Sequence, residues 1–266
     1  MSLTFECIPL TVEGVSLNLS TMHNLNSNPP ILFLHGFGSS KEDLADLTIQ
    51  PSLKPRGFIA YDAPGCGQSA SNNLSTIDIP FLVATAEAFL ARFSIDKFHL
   101  IGYSMGGLTG LLLANQNPDR VLSFVNIKGN LAPEDCFLSR QIFMFSADDG
   151  DAFMDAFIER TRTSGSFACA MYASTLRVRG RAGAVRPIFE SMVQLTDHED
   201  MMDKFLALRC PRMFMFGEEM CGLSYLPLLE REGIELADIV GAGHFPMYSN
   251  PVEMYRRISG FLDLCK

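Results

Sequence analysis

The sequence predicts an α/β fold in which a mostly parallel sheet is covered on both faces by helices. Short, near-continuously apolar runs are typical of strands buried on both faces, and helix-compatible stretches alternate with them. The region from about residue 130 to 211 breaks this alternation, since it has helical patterns and no convincing strand. We therefore expect an α/β core that carries an all-helical cap, inserted after the sixth strand.

The predicted strands combine continuous apolar character with β-branched and aromatic residues. They cover residues 15–19, 31–34, 58–61, 98–101, 121–127, 213–216 and 237–240. A further run at 4–9 precedes them. Glu13 and Gly14 follow that run and predict an antiparallel hairpin at the N-terminal end of the sheet.

Helical patterns fill the intervals between these strands and the region without strands. They cover residues 78–93, 108–117, 225–232 and 252–264 in the core, and 149–161 and 186–194 in the cap. Pro133 and Pro211 stand at the two ends of the cap, where the chain leaves and rejoins the sheet. We expect a core of residues 1–130 and 212–266 and a helical cap of residues 131–211.

Composition bounds the class of protein. The chain has 266 residues, 47% of them hydrophobic, which suits one sizeable core with an insertion. Its net charge of −9 argues against nucleic acid or an anionic membrane surface as the main partner. No apolar stretch approaches the ~20 residues that span a bilayer. The first residues lack the basic and apolar regions of a signal peptide, which predicts a cytoplasmic protein.

The cysteines and the motif inventory predict a site without a cofactor. Seven cysteines are scattered along the chain with no Cys-x-x-Cys pair, which favours reduced thiols over disulfides or a zinc site. The sequence has no cluster of metal ligands and no dinucleotide-binding fingerprint. We expect neither a metal nor an organic cofactor.

The pentapeptide Gly-Tyr-Ser-Met-Gly at 102–106 is the most informative motif. It places Ser104 between two glycines, directly after an apolar run and before a helical run. This is the G-x-S-x-G nucleophile elbow, a sharp strand-to-helix turn that exposes the serine hydroxyl. Gly102 and Gly106 fit the turn because it brings the strand and helix backbones close together. The motif predicts that Ser104 is a nucleophile.

Three more segments come directly after predicted strands. They are the glycine-rich turn 35–40, the segment 62–69 and the loop 241–247, and Ser104 lies between the second and the third. With its motifs in this order, the chain resembles the α/β-hydrolase superfamily. Within it, the chain resembles the capped serine hydrolases related to haloalkane dehalogenases and small esterases. The resemblance runs from about Pro30 to the C-terminus and is weakest in the cap.

The resemblance implies a set of catalytic roles. Ser104 is the implied nucleophile, and His244, on a loop after a late strand, is the implied general base. The backbone N–H groups of Phe37 and Met105 are the implied oxyanion hole. His35, beside the oxyanion turn, is expected to be structural.

Asp62 follows the predicted strand 58–61 and opens a turn rich in glycine. A carboxylate at such a position commonly accepts hydrogen bonds from nearby backbone N–H groups. We therefore expect Asp62 to stabilise this turn rather than to act in catalysis.

A third triad member, a carboxylate behind the histidine, is absent from both places where the superfamily supplies it. Met220 occupies the acid position of the Gly-x-x-Asp pattern at 217–220. Lys128 occupies the alternative position after the strand 121–127, where a cation disfavours the imidazolium.

Several interpretations of the missing acid stay open. We assign Glu219, one position before Met220, as the candidate acid because its side chain is longer. Glu134 or Asp135 at the start of the cap, or Glu218, are alternatives. A further interpretation is a Ser-His dyad, or a site in which Lys128 alters or abolishes turnover. In each case we expect a rate below that of an intact triad.

The cap carries two groups of residues with more than one interpretation. Its Phe and Met surplus packs the cap onto the sheet, forms a lipophilic acyl or alcohol pocket, or does both. That surplus comprises Phe137, Leu138, Phe143, Met144, Phe145, Phe153, Met154 and Phe157. An arginine cluster also has two interpretations. In one it binds an anion such as the tail of a carrier-bound thioester. In the other it forms a solvated face paired with Asp148, Asp149 and Asp151. That cluster comprises Arg177, Arg179, Arg181 and Arg186.

The leading hypothesis is a cytoplasmic serine hydrolase, monomeric or homodimeric. It cleaves a small lipophilic ester, lactone or thioester, or a carrier-bound acyl group, through an acyl-enzyme on Ser104. Dehalogenases and epoxide hydrolases are disfavoured because their chemistry needs a carboxylate nucleophile. Two alternatives remain: a ligand-binding or weakly active member of the fold with a degenerate triad, and a cofactor-free lyase or carbon–carbon cleaving enzyme.

Overall fold

A computed structural model describes residues 2–26, 28–147 and 149–265. In these residues one sheet of nine strands runs through the protein. The strands are β1 (Thr4–Val12), β2 (Val15–Asn24), β3 (Ile31–Leu34), β4 (Phe58–Tyr61), β5 (Ala70–Ser71), β6 (Phe98–Tyr103), β7 (Val121–Ile127), β8 (Arg212–Gly217) and β9 (Glu235–Ile239).

The strand order across the sheet is β1-β2-β4-β3-β6-β7-β8-β9, with the two-residue β5 paired to β2. All neighbouring pairs from β4 to β9 are parallel, and β1, β2 and β5 are antiparallel additions. Every residue of β3, β4 and β6 is buried, as the continuous apolar runs predicted. The mostly parallel α/β sheet is therefore confirmed.

The N-terminal hairpin is also confirmed. β1 and β2 pair antiparallel, with Val12 opposite Val15, so that Glu13 and Gly14 alone form the turn. Both turn residues have positive φ, 48° for Glu13 and 80° for Gly14. A two-residue turn with positive φ at both positions matches the right-handed twist of the flanking strands.

Nine α-helices flank the sheet or fill the segment between β7 and β8 within the described residues. They are α1 (Ile79–Arg92), α2 (Met105–Gln116), α3 (Gly150–Arg162), α4 (Phe167–Arg179), α5 (Ala182–His198), α6 (Met201–Leu206), α7 (Leu226–Arg231), α8 (Pro246–Ser249) and α9 (Pro251–Leu264). α2 packs on β6, β7 and β3, so it lies against the centre of the sheet. No helix in the described ranges is long and apolar enough to cross a bilayer.

The segment between β7 and β8, here called the insertion, is helical as predicted. It holds α3 to α6 and two short 3₁₀ helices, Pro133–Phe137 and Ser139–Met144. It follows the sixth strand when the two-residue β5 is not counted. The division into a core and a separate cap domain of residues 131–211 stays a prediction.

Two helices of the insertion were not predicted, and a third begins earlier than expected. The sequence of α4 mixes Ala, Cys, Ser and Thr with long side chains, and its apolar residues do not recur clearly at helical spacing. α6 is only six residues long. α5 begins at Ala182 rather than at residue 186, and Pro187 lies inside it. A proline is typical of the first helical turn, so its position suggests a later start.

Candidate functional site

Ser104 lies on the turn between β6 and α2, with a φ of 51°. The turn leaves no space for side chains at the flanking glycines. A Cβ on Gly102 would lie 2.8 Å from Gly107 Cα, and one on Gly106 would lie 2.6 Å from His35 O. These approaches fall below van der Waals contact, so backbone packing requires both glycines. The Ser104 N–H donates to Ile127 O at 2.9 Å and ties the elbow to β7.

The structure brings Ser104 and His244 together. His244 lies on the loop after β9, 140 residues along the chain, and its Nε2 is 3.2 Å from Ser104 Oγ. The Tyr103 ring packs beside the imidazole, with 5.4 Å between ring centroids. This contact gives the serine hydroxyl an acceptor for its proton, as the predicted pair requires.

Burial and a nearby cation keep the imidazole of His244 neutral. Desolvation first, and then the Lys128 ammonium, lower the pKa of His244 to about 3 from its ordinary 6.5. In the described residues no carboxylate forms an ion pair with this ring. His244 is therefore unprotonated near neutral pH, and its positive form is poorly supported.

The loop after β3 orients the Phe37 N–H. The carbonyl oxygen of the same peptide unit, Gly36 O, accepts hydrogen bonds from His35 Nδ1 at 2.7 Å and from the Ser39 N–H at 3.1 Å. His35 Nε2 in turn accepts the Ala63 N–H at 2.8 Å, which confirms a structural role for this histidine. The Phe37 and Met105 N–H groups donate to no acceptor within the described residues. Their assignment as the oxyanion hole stays a prediction.

Asp62 is buried and organises the neighbouring turn, as predicted. Its Oδ2 accepts the Gln68 N–H at 2.8 Å and pairs with Lys41 Nζ at 3.0 Å, and its Oδ1 accepts the Lys41 N–H at 2.9 Å. Burial alone would raise the pKa of Asp62, but these N–H groups and the Lys41 ammonium hold it below its ordinary value. This network joins the loop after β3 to the loop after β4.

The position that the resemblance assigns to an acid holds a buried ion pair instead. The Lys128 ammonium contacts Asp135 Oδ1, which also accepts the Tyr225 hydroxyl proton at 2.9 Å. Asp135 Oδ2 accepts the N–H groups of Leu131 at 2.8 Å and Ala132 at 3.0 Å. Lys128 has a φ of 48°, and both charged side chains are more than nine-tenths buried. Both carboxylate oxygens of Asp135 are thus occupied, by Lys128 and Tyr225 on one side and by the backbone at the start of the insertion on the other.

The other candidate acids occupy separate places. Glu219 is exposed. Its carboxyl group lies beside Gly243, the residue before His244, because a Cβ placed on Gly243 would be 3.2 Å from Glu219 Cδ. It forms no hydrogen bond with the imidazole in the described structure, and its role as the acid stays a prediction. Met220 lines the cavity described below, as Glu219 does.

Two further acids near this loop serve as backbone anchors. Glu218 Oε2 accepts the Gly241 N–H at 2.8 Å, and Glu134 Oε1 accepts the Ser224 N–H at 3.0 Å and the Ser224 hydroxyl proton at 2.7 Å. Both carboxylates therefore fix loop geometry around the site and do not contact His244.

A cavity of about 550 Å³ lies between the insertion and the carboxyl ends of the strands. Ser104 and His244 are in its wall, and most of the remaining wall is aromatic or aliphatic. The apolar wall includes Phe37, Phe137, Leu138, Phe157, Tyr172, Phe189, Met192, Leu223 and Phe245. Lys128, Asp135, Arg160 and Glu219 add charged groups. The cavity size and lining suit a small organic molecule with a long apolar part.

The Phe and Met surplus divides between packing and the cavity wall. Phe153 and Met154 are buried in the core, whereas Phe157 lines the cavity. Phe143 and Met144 are exposed. The surplus therefore contributes both to packing and to the cavity wall, and the use of that cavity by an acyl or alcohol group stays a prediction.

The arginine cluster is paired within the protein, so the structure gives the shared anion grip no support, and that interpretation stays a prediction. Each guanidinium has its own partner; Arg177 and Arg179 end α4, Arg181 lies between α4 and α5, and Arg186 lies in α5. Arg177 pairs with Asp151, Arg179 with Asp43 and Arg186 with Glu190, and Arg181 donates to Gly67 O. Asp149 caps α3 by accepting the Ala152 N–H, and Asp148 lies outside the described residues.

Sequence reasoning missed several cavity residues, among them Arg160 and Tyr172. Arg160, near the end of α3, donates to Gln141 Oε1, and no signal in the sequence separates it from other surface arginines. Tyr172 lies on α4, a helix that was not predicted, although Ser166 and Gly180 were available as helix-end signals. No group of three or more His, Cys, Asp or Glu in the described ranges is placed to hold a metal ion.

Comparisons with known proteins extend from short segments to the whole chain. The chain is 40% identical over 95 residues to the dihydrolipoyllysine-residue acetyltransferase component of an acetoin cleaving system from Pseudomonas putida. That match covers 35% of this chain and 25% of the relative, so the chain spans about a quarter of that relative. A pimeloyl-[acyl-carrier protein] methyl ester esterase from Aeromonas hydrophila is 24% identical over 91% of this chain and 98% of its own length.

A solved structure of a thermophilic esterase from Thermogutta terrifontis shares the fold. Its TM-score is 0.77 at 16% identity, with 98% of this chain and 99% of that chain covered. The sequence pattern of the alpha/beta hydrolase fold matches residues 29–182, which is more than half of the chain. This match includes the elbow and the loop after β3. The chain belongs to the alpha/beta hydrolase fold family.

Proposed function

We propose that this chain is a serine hydrolase that cleaves a carboxylic ester, lactone or thioester through an acyl-enzyme on Ser104. The observation that carries the proposal is the 3.2 Å contact between Ser104 Oγ and His244 Nε2, at a strained elbow in the wall of an apolar cavity. A positive φ at a residue other than glycine is costly, and residues strained in this way are concentrated at active sites.

In the acylation step, Ser104 Oγ attacks the carbonyl carbon of the substrate while His244 Nε2 takes the hydroxyl proton. The carbonyl oxygen becomes an oxyanion that accepts hydrogen bonds from the Phe37 and Met105 N–H groups. The tetrahedral intermediate collapses when His244 returns the proton to the leaving alcohol or thiol. The acyl group then remains on Ser104.

In the deacylation step, water attacks the acyl carbon and His244 takes one of its protons. The same two N–H groups receive the second oxyanion. Collapse of this intermediate releases the carboxylic acid, and the proton returns to Ser104 Oγ. Each N–H donor in such a site contributes roughly 10²- to 10³-fold to the rate.

The surroundings of His244 support a slow reaction. Both steps pass through an imidazolium, and Lys128 opposes that charge while no carboxylate contacts the ring in the described residues. In serine proteases, loss of the acid lowers turnover by about 10⁴. The same observation favours the second candidate function, a ligand-binding member of the fold whose chemistry has decayed at the acid.

The substrate class follows from the cavity and from the relatives. The wall is mostly aromatic and aliphatic, which fits a lipophilic acyl or alcohol group. The methyl ester esterase similar to this chain over most of its length is named for an acyl group carried on a protein. We include a carrier-bound acyl thioester among the substrates, together with small free esters.

The test uses the full chain with a fluorophosphonate probe and a series of esters. We expect stoichiometric labelling located at Ser104 by mass spectrometry, and no labelling of Ser104→Ala. A set of p-nitrophenyl esters of increasing chain length, with an acyl thioester added, should show measurable turnover that is lost in Ser104→Ala.

The matched control is Ser259→Ala, which removes a serine hydroxyl from α9, far along the chain from the elbow. This variant should label like the wild type. Labelling of Ser104→Ala equal to that of the wild type would contradict the hydrolase proposal. An unlabelled wild-type chain that still binds the longer esters would support the ligand-binding candidate.

A further inference from the structure

Tyr172 of α4 reaches out of the insertion to the loop that carries the Phe37 N–H. Its hydroxyl donates to Phe37 O at 2.6 Å, and its side chain is buried. Burial raises the pKa of Tyr172 well above its ordinary value, so the hydroxyl keeps the proton that it donates. The contact joins residues that are 135 positions apart in the chain.

This hydrogen bond completes the restraint of the two peptide units around Phe37. The first unit, between Gly36 and Phe37, is fixed by the bonds from His35 and Ser39 to its carbonyl oxygen. Since the N–H of a planar peptide points opposite to its carbonyl, these bonds aim the Phe37 N–H. The second unit has its carbonyl oxygen fixed by Tyr172, which limits rotation about the Phe37 backbone.

Packing reinforces the same contact. Gly38 has a φ of 67°, and a Cβ there would lie 2.8 Å from the Tyr172 hydroxyl oxygen and would overlap Leu176. α4 itself is fastened to the core near its end, where Arg179 pairs with Asp43 at 3.2 Å. The hydroxyl of Tyr172 is therefore held in place and is not a mobile surface donor.

Tyr172 also contacts the loop that holds the histidine. Its ring stacks on Phe245, the residue after His244, with 4.5 Å between centroids and 30° between ring planes. One side chain of the insertion thus touches the two loops that carry the Phe37 N–H and the imidazole.

We propose that Tyr172 is a positioning residue that sets the orientation of the Phe37 N–H toward the oxyanion. The proposal rests on the function proposed above. Tyr172 acts through the Phe37 backbone and does not itself bond the reacting oxygen. Its contribution is greatest in the transition state, where the hydrogen bond from the Phe37 N–H to the oxyanion is strongest. Loss of Tyr172 should therefore affect kcat more than substrate binding.

The test compares Tyr172→Phe with Tyr248→Phe. Each substitution removes one phenolic hydroxyl. The Tyr248 hydroxyl is hydrogen-bonded to Asp43 and Arg179 and forms no hydrogen bond with the loop of Phe37. The ion pair between Arg179 and Asp43, which fastens α4, does not depend on that hydroxyl. For Tyr172→Phe we expect kcat to fall about tenfold or more with KM within about twofold, since small misplacements of catalytic groups are costly. Inhibition by a trifluoromethyl ketone, which forms an oxyanion with serine, should weaken in parallel, whereas inhibition by the matching alcohol should not. Tyr248→Phe should leave all these values within about twofold.

Hydrogen exchange of the backbone supplies a readout that does not depend on turnover. The amides of residues 35–41 should exchange faster in Tyr172→Phe than in the wild type or in Tyr248→Phe. Equal kinetics and equal exchange in the two variants would overturn the inference. A wild-type chain without turnover would overturn the proposed function, and the exchange rates would still decide whether Tyr172 holds the loop.

Discussion

The serine side and the acid side of the candidate site are built from different kinds of contact. On the serine side, backbone atoms set the geometry: Gly102 and Gly106 have no space for a Cβ, and Ser104 is bonded to β7 through its own N–H. On the acid side, charged side chains set the geometry, with Lys128 paired to Asp135 at the position where the resemblance predicts a carboxylate behind His244.

The difference teaches which part of a site tolerates substitution. A backbone turn that depends on two glycines fails if either gains a side chain, so the turn persists as a unit. An ion pair can exchange one partner for another residue while the strands around it stay in place, because only side-chain volume and charge must be matched. The serine side of this chain has the geometry of a nucleophile elbow, whereas its acid side holds an ion pair.

Gly106→Ala should have the largest effect, because the added Cβ meets the backbone of β3. We expect a loss of about 5 kcal/mol in the free energy of unfolding, or failure to fold. The control is Gly260→Ala in α9, where no atom lies within 4 Å and alanine favours the helix by about 0.5–1 kcal/mol. Urea unfolding measures both, and similar values would contradict the account of the serine side.

Asp135→Asn should have the next largest effect on the free energy of unfolding, because it leaves the buried Lys128 ammonium without its carboxylate. Removal of one partner of a buried pair costs about 3–5 kcal/mol. The control is Asp197→Asn, whose partner Arg140 is exposed and whose pair is worth about 1 kcal/mol or less. Equal destabilisation of the two variants in urea would show that the Lys128 pair does not stabilise the acid side.

A restored acid should raise activity by a smaller factor. Lys128→Glu alone would place two carboxylates side by side, so the variant to use is Lys128→Glu with Asp135→Asn. Its neutral control is Lys128→Met with Asp135→Asn. We expect kcat/KM for a p-nitrophenyl ester to be about tenfold higher in the first variant, because a carboxylate stabilises the imidazolium. No gain over the control would contradict a displaced acid at position 128.

The parts of the site that the sequence predicts are those determined by backbone turns. Ser104, His244 and the loop of Phe37 were predicted because each follows a strand and is accompanied by glycines. The pairing of Lys128 with Asp135 was not predicted. It depends on how residues 128–135 fold back and on the hydroxyl of Tyr225, which donates to Asp135 from about ninety positions away.

The fold shows the same division. The strands and most core helices were predicted from continuous apolar runs and helical periodicity, whereas the strand order was not predicted. The helix α4 was missed because its apolar residues lack a clear period, and with it the contact of Tyr172. Ser166 before it and Gly180 after it were the signals in the sequence that define its ends.

The most direct test of the central claim is the pH dependence of labelling at Ser104. The claim is that Ser104 reacts with the help of a histidine kept neutral by burial and by Lys128, with a pKa of about 3. The second-order rate constant for a fluorophosphonate probe should therefore stay within about twofold between pH 8 and pH 5. An ordinary histidine, with a pKa of about 6.5, would lower that rate about thirtyfold over the same range.

Circular dichroism must accompany the measurement, since folding is itself linked to pH. His244, and His99 with a pKa of about 4, take up protons more readily when the chain unfolds. The free energy of unfolding consequently decreases as the pH falls below about 6.5. A flat labelling profile in folded protein down to pH 5 is the result that we predict. A profile that falls with an apparent pKa near 6.5 while the protein remains folded would contradict the account.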